Sequence, residues 1–160
     1  MVNDIRMWVE QKHITAGILG GMVAGIFSGM VFGMFDMLPI IARLIGSSSA
    51  VAGFFVQLLA SAIIGFGFAL IFGRSAEATE KGMIFGLIYG AAWWVLNQFI
   101  FMPVILGMGV LTMEEADTVL PGFFGYLVYG FVLGLVYPWF AHMRFGEIGK
   151  HWPTGKLFRA

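Results

Sequence analysis

A glycine recurs at every fourth position of the first long apolar stretch, at Gly17, Gly21, Gly25, Gly29 and Gly33, and the pattern returns at Gly82, Gly86 and Gly90. The return belongs to a longer duplication. A shift of 61 residues lays Gly21-Met22-Val23-Ala24-Gly25 on Gly82-Met83-Ile84-Phe85-Gly86, and Gly29 on Gly90. A shift of 64 lays Leu38-Pro39-Ile40-Ile41 on Met102-Pro103-Val104-Ile105. A shift of 69 lays Gly53-Phe54-Phe55 on Gly122-Phe123-Phe124, and Ser61 and Gly65 on Gly130 and Gly134. Few architectures accept such a chain. One two-helix hairpin is written twice, and the copies must pack as related units.

Four apolar stretches carry the hairpins: Ile14–Met37, Val51–Gly73, Gly82–Leu106 and Pro121–Met143. Each holds about 23–25 residues, enough at about 1.5 Å per residue to cross a hydrocarbon core of about 30 Å. They contain no Lys, Arg or Glu and one Asp. Charged residues are 11% of the 160 in the chain, against about 25% in an average globular protein. The expected fold is all-α and polytopic: four transmembrane helices as two parallel tandem hairpins. The boundaries are a 1–13 interfacial segment, hairpins over 14–74 and 82–143, and a 144–160 interfacial tail. Because each hairpin has two spans, both copies enter from the same side, related by a pseudo-twofold axis along the membrane normal.

Orientation follows from the basic residues. Arg6, Lys12, Arg74, Lys81, Arg144, Lys150, Lys156 and Arg159 fall on one side of the four-span scheme, and only Arg43 on the other. That asymmetry predicts that both termini face the cytoplasm. The opposite loops are acidic, with Asp36, Glu114, Glu115 and Asp117. Both ends mix aromatics with cations (Trp8 with Arg6 and Lys12; Trp152 and Phe158 with Lys156 and Arg159), which suits the headgroup region. The first span is too long for the apolar region of a signal peptide, and cleavage after Ala50-Val51-Ala52 would destroy the first hairpin.

The glycines offer a side-chain-free groove. In lipid, helices gain little from burying apolar side chains against one another, so close backbone approach carries more of the association. Gly17, Gly21, Gly25, Gly29 and Gly33, with Gly82, Gly86, Gly90, Gly130 and Gly134, are expected to form a glycine zipper. Two uses fit: intramolecular packing of the first span on the third, its equivalent, or a seam between copies of the chain. Trp93 and Trp94 lie deep in the third span, where they either fill volume beside the groove or line a ligand site.

Polar residues inside spans are functional candidates by default. The 61-residue register places Asp36 on Asn97, with Gln98 beside it; the 69-residue register places Gln57 on Tyr126. Asp36, Asn97, Gln98 and Gln57 compose a possible polar path. The plainer alternatives are a hydrated Asp36 near the outer surface and hydrogen bonds between helices for the amides. Met30, Met34 and Met37 stack thioethers at helical spacing, which favours Cu(I) but equally suits apolar gap-filling. His13 and His142 sit at span ends, as interfacial histidines do. Zero cysteines remove disulfides and thiolate chemistry. With no catalytic triad, metalloprotease pair or phosphate loop, no enzymatic activity and no cofactor are expected. A net charge of zero gives no reason to expect nucleic acid.

The spans resemble a family of small, uncharacterised four-helix membrane proteins of bacteria and archaea, some mislabelled as sodium:proline symporters. The resemblance rests on Met37-Leu38-Pro39-Ile40-Ile41-Ala42, Ser61-Ala62-Ile63-Ile64-Gly65, the Tyr89–Leu96 run and the Tyr129–Tyr137 run, and covers residues 17–140. A looser similarity links the chain to YagU-type inner-membrane proteins. The resemblance implies the four-helix fold and a bacterial or archaeal plasma membrane, and it carries no activity. Members often hold histidine where this chain has Gln57 and Tyr126, which argues against a histidine-held cofactor here. The expected role is a non-enzymatic structural or accessory subunit, with the bilayer and either further copies of itself or a larger membrane complex as partners. The alternative is a small channel or carrier for a cation, proton or neutral solute. Cu(I) handling is a distant third.

Overall fold

The computed structural model describes residues 2–101 and 116–143, with side chains over 11–101 and 119–143. Among these residues every regular element is helical. Helix α1 spans Val2–Met34, short α2 spans Leu38–Ala42, and a 3-10 turn covers Arg43–Ile45. Then come α3 (Ala50–Phe72), α4 (Thr79–Leu96) with a π-helical turn over Asn97–Phe101, and α5 (Ala116–His142). Four stretches, Gln11–Met34, Ala50–Phe72, Thr79–Phe101 and Val119–His142, are long and apolar enough to cross a membrane. Glu114, Glu115, the Met102–Ile105 segment and the tail from Arg144 lie outside the described residues.

Local chemistry sets the helix ends. Helix α1 stops at Met34 because Asp36 adopts a left-handed backbone (φ 53°). The Met37 N–H then reaches back to Phe32 O at 2.9 Å, and the Asp36 N–H to Gly33 O at 3.3 Å. This is the paired-bond Schellman cap, and Phe32 and Met37 supply its apolar clasp. Asp is one of the few non-glycine residues that enter this conformation readily. The first span therefore ends three residues before the expected Met37. Pro39 sits in the first turn of α2, where a missing N–H breaks nothing. Ser49 caps α3, its hydroxyl accepting from the Ala52 N–H at 3.5 Å.

Helix α1 packs along α3 on one side and α5 on the other, and α4 packs along α5. The contacts of the glycines correct one expectation: α1 does not use its glycines on the third span. A side chain at Gly17 would meet Gly65 O and Ala69 of α3; one at Gly21, Ser61 O and Gly65; one at Gly25, Ser61; one at Gly29, the Phe54 ring. Gly33 is exposed. Gly82, Gly86 and Gly90 of α4 lie on Gly134 O, Gly130 O and Tyr126 O of α5. The reason is the facing surface. Helix α3 presents Ser61, Gly65 and Ala69 at the same four-residue spacing, so backbones meet. Helix α4 presents Phe85, Tyr89 and Trp93 towards α3 and the core.

Those aromatics close the fourth side of the bundle. Phe72 stacks on Phe85 with centroids 5.1 Å apart, and Phe68 meets Tyr89 edge-on at 5.4 Å. Between α1 and α5 the fit is mixed: Phe32 lies on Gly125, and Leu133 Cδ1 would be 3.3 Å from a side chain at Gly20. Pro138 inside α5 cannot donate to Gly134 O, so that carbonyl lacks its usual i+4 donor, and it faces Gly82.

Candidate functional site

Hydroxyls and amides inside a span must find partners, because lipid offers none. Two clusters result. Midway along the α1–α3 seam, Gln57 Nε2 donates to Ser28 Oγ at 3.3 Å and Ser61 Oγ at 3.4 Å. Ser28 Oγ donates to Gly25 O at 3.3 Å. Tyr129 of α5 reaches across and donates to Ser61 O at 2.7 Å, and Tyr89 of α4 donates to Ile64 O at 2.9 Å. All four helices are thus tied to α3 or to one another by single, directed bonds. Ser28, Ser61 and Tyr129 are all at or below 2% exposure.

The second cluster lies where α1 enters and α3 ends. His13, buried at 6% exposure, places Nδ1 2.7 Å from Tyr137 Oη, which also lies 3.2 Å from Gly73 O. His13 Nε2 is 3.4 Å from Glu77 Oε1, and Lys12 Nζ approaches the same oxygen at 3.9 Å. The tyrosine oxygen carries one proton, so the histidine tautomer follows its choice. If the hydroxyl donates to Gly73 O, Nδ1–H donates to the tyrosine. If it donates to Nδ1, the histidine proton sits on Nε2, facing Glu77. Either way the cluster binds α1, the end of α3, the following loop and α5 at one point. His142 is engaged separately, Nδ1–H donating to Pro138 O at 2.6 Å.

The residues of the possible polar path are not gathered by any bond among the described residues. Asp36 is exposed and acts in the α1 cap. Asn97 and Gln98 are half-buried in the π-helical turn. Gln57 is held by Ser28 and Ser61, and its register equivalent Tyr126 packs edge-on to Phe32 at 5.8 Å instead of bonding to it. The three methionines diverge: Met30 and Met34 are exposed and Met37 is buried under Leu38 and Phe32. No grouping of three or more His, Asp or Glu side chains is present among the described residues. Trp94 donates to Val119 O at 3.3 Å, and Trp93 stacks on Phe101 at 5.9 Å, so both indoles pack within the bundle.

The His13–Tyr137 cluster escapes the sequence because its members are 124 residues apart. One signal was available: a tyrosine within a span needs an acceptor for its hydroxyl, and Tyr89, Tyr129 and Tyr137 each have one. No family model, no curated protein and no solved structure matches this chain.

Proposed function

We propose that the chain is a non-enzymatic, multi-pass plasma-membrane protein of a bacterium or archaeon. It acts as a structural or accessory subunit of a homo-oligomer or larger membrane complex, with both termini cytoplasmic. Its two tandem hairpins are repeats, each closed by a glycine zipper: Gly17, Gly21 and Gly25 on α3 in one, and Gly82, Gly86 and Gly90 on Gly130 and Gly134 in the other. The observation that carries the reading is where the polar groups go. Gln57, Tyr89, Tyr129 and Trp94 all donate inward, to backbone carbonyls or serine hydroxyls, and the Tyr137 hydroxyl lies between His13 Nδ1 and Gly73 O. Their bonding capacity is used in holding helices together. The outward faces are apolar, and α4 is the least buried of the four spans. A helix so open to its surroundings suits a second protein surface as well as lipid.

The test is purification of the full chain in mild detergent, with mass determination of what emerges, and reconstitution into liposomes. A species larger than the monomer and no solute flux above empty vesicles are expected. A monomer that carries flux would replace this reading with that of a small channel or carrier. One observation favours that alternative: Asn97 and Gln98 occupy a π-helical turn, a distortion common at functional sites. In that case Asp36→Asn, Asn97→Ala or Gln57→Ala abolishes the flux while the fold is retained.

A further inference from the structure

At the end of the bundle where α1 enters, a cleft of about 470 Å³ opens between α1 and the last turn of α3. That is within the range of about 300–1,000 Å³ typical of small-molecule sites. Its lining divides by chemistry. Ile14, Leu70 and Ile71 form one wall; His13, Arg74 and Ser75 form the other. Leu70 and Ile71 are 62% and 66% exposed, on the outer face of a helix that spans. The cleft straddles the boundary of the spans, since Gln11 and Phe72 are their terminal residues at this end. An apolar wall open to acyl chains, continuous with a cationic and hydroxylic wall at the water boundary, matches one ligand class: an amphiphile with an anionic head.

We propose that this cleft binds the headgroup of an anionic phospholipid, its phosphate held by Arg74 with Ser75 and His13, and its upper acyl segments lying on Ile14, Leu70 and Ile71. Arg presents the planar fork that suits phosphate oxygens. His13 lines the same wall, its ring buried and its Nε2 facing Glu77 Oε1 at 3.4 Å without a hydrogen bond of good geometry. Glu77 does not line the cleft, and Lys12 offsets its charge from the other side. Three of the carbonyls at the end of α3, groups that repel anions, are engaged by donors. Ala69 O accepts from the Gly73 N–H, Phe72 O from Ser75 and Ala76 N–H groups, and Gly73 O lies by the Tyr137 hydroxyl.

The experiment is thermal unfolding of the full chain in mild detergent with added phosphatidylglycerol, phosphatidylcholine or inorganic phosphate. At lipid about a hundredfold above its dissociation constant, phosphatidylglycerol raises the midpoint by roughly 5–10 °C. Phosphatidylcholine and inorganic phosphate leave it in place. Arg74→Gln removes most of the shift, and Lys81→Gln, which deletes an equal charge from an exposed residue outside the cleft, keeps it. Arg74 is exposed, so its loss spares the core. An equal shift with phosphatidylcholine, a shift with inorganic phosphate alone, no shift at all, or equal losses in the two variants would each overturn the proposal. The last would mean diffuse surface charge in place of a site.

Discussion

The seams within the two hairpins and the seam between α3 and α4 join the same helices by opposite means. Along α1–α3 and α4–α5, carbonyl oxygens lie directly on glycines, with no room for a side chain. Between α3 and α4, Phe68, Phe72, Phe85 and Tyr89 fill the space, and the Tyr89 hydroxyl supplies the polar bond. Backbone contact gives dispersion and weak Cα–H···O attraction at short range and tolerates no added volume. An aromatic filling holds helices farther apart and is sensitive to lost volume instead. In the proposed repeat, α3–α4 is the symmetry counterpart of α1–α5. The α1–α5 seam mixes the two means, with the Phe32–Tyr126 pair at one level and Gly20 against Leu133 at another.

This contrast predicts opposite responses to substitution. Gly65→Leu or Gly130→Leu forces a branched side chain onto a facing backbone, and no folded protein is expected in mild detergent by size exclusion. Gly29→Leu is less severe, since its neighbour is the end of the Phe54 ring, 2.8 Å from the added carbon. In the aromatic seam the damaging change is removal. Phe68→Ala, at a fully buried ring, is expected to cost about 3–5 kcal/mol in unfolding titrations. Phe68→Leu costs less, whereas a glycine position accepts no larger residue. If Gly65→Leu were tolerated and Phe68→Ala were silent, the assignment of the two seams would be inverted.

Away from both seams, the α1 cap gives an intermediate effect. Asp36→Val places a β-branched residue at positive φ and is expected to lose about 1–2 kcal/mol, while Asp36→Gly is neutral or slightly stabilising. A loss in Asp36→Gly equal to that in Asp36→Val would show that the carboxylate, not the backbone, matters there. Tyr129→Phe and Tyr89→Phe each remove one interhelical bond. Each is expected to cost about 0.6 kcal/mol, the average for such bonds in a membrane. Tyr129 lies against the close-packed seam, so its loss also loosens Ser61. Met30→Leu, on an exposed face, stays within about 0.5 kcal/mol of the parent.

The four spans were legible because lipid demands about 20 apolar residues in a row, and composition reports that directly. Their ends were not. Position marks Asp36 as a charge near the surface, while its backbone conformation, which stops α1, leaves no trace in hydropathy. Nothing in the pattern marks the loop after it, yet Leu38–Ala42 folds as a helix on the start of α3, with Leu38 O on Gly53, and Arg43–Ile45 continues it as a 3-10 turn. The glycine ladder announced close approach but not the partner. A small residue at every fourth position makes a groove for any smooth helix, and the choice depends on Ser61, Gly65 and Ala69 facing it in three dimensions. Position at a span end marks His13 only as interfacial; its burial depends on Tyr137 and Glu77, which no local pattern connects.

The pairing of α1 with α3 is the claim on which the seams, the polar clusters and the cleft all depend, and the chain's lack of cysteine makes it directly measurable. Ser28 of α1 and Gln57 of α3 meet side chain to side chain at 3.3 Å, at positions where no glycine is lost. The Ser28→Cys/Gln57→Cys variant in membranes is expected to give a near-complete intramolecular cross-link with a short thiol-bridging reagent. The Ser28→Cys/Ala91→Cys variant, which would join α1 to α4, is expected to stay unlinked. Cross-linking of the second pair with none in the first would set the first span against the third and contradict the account.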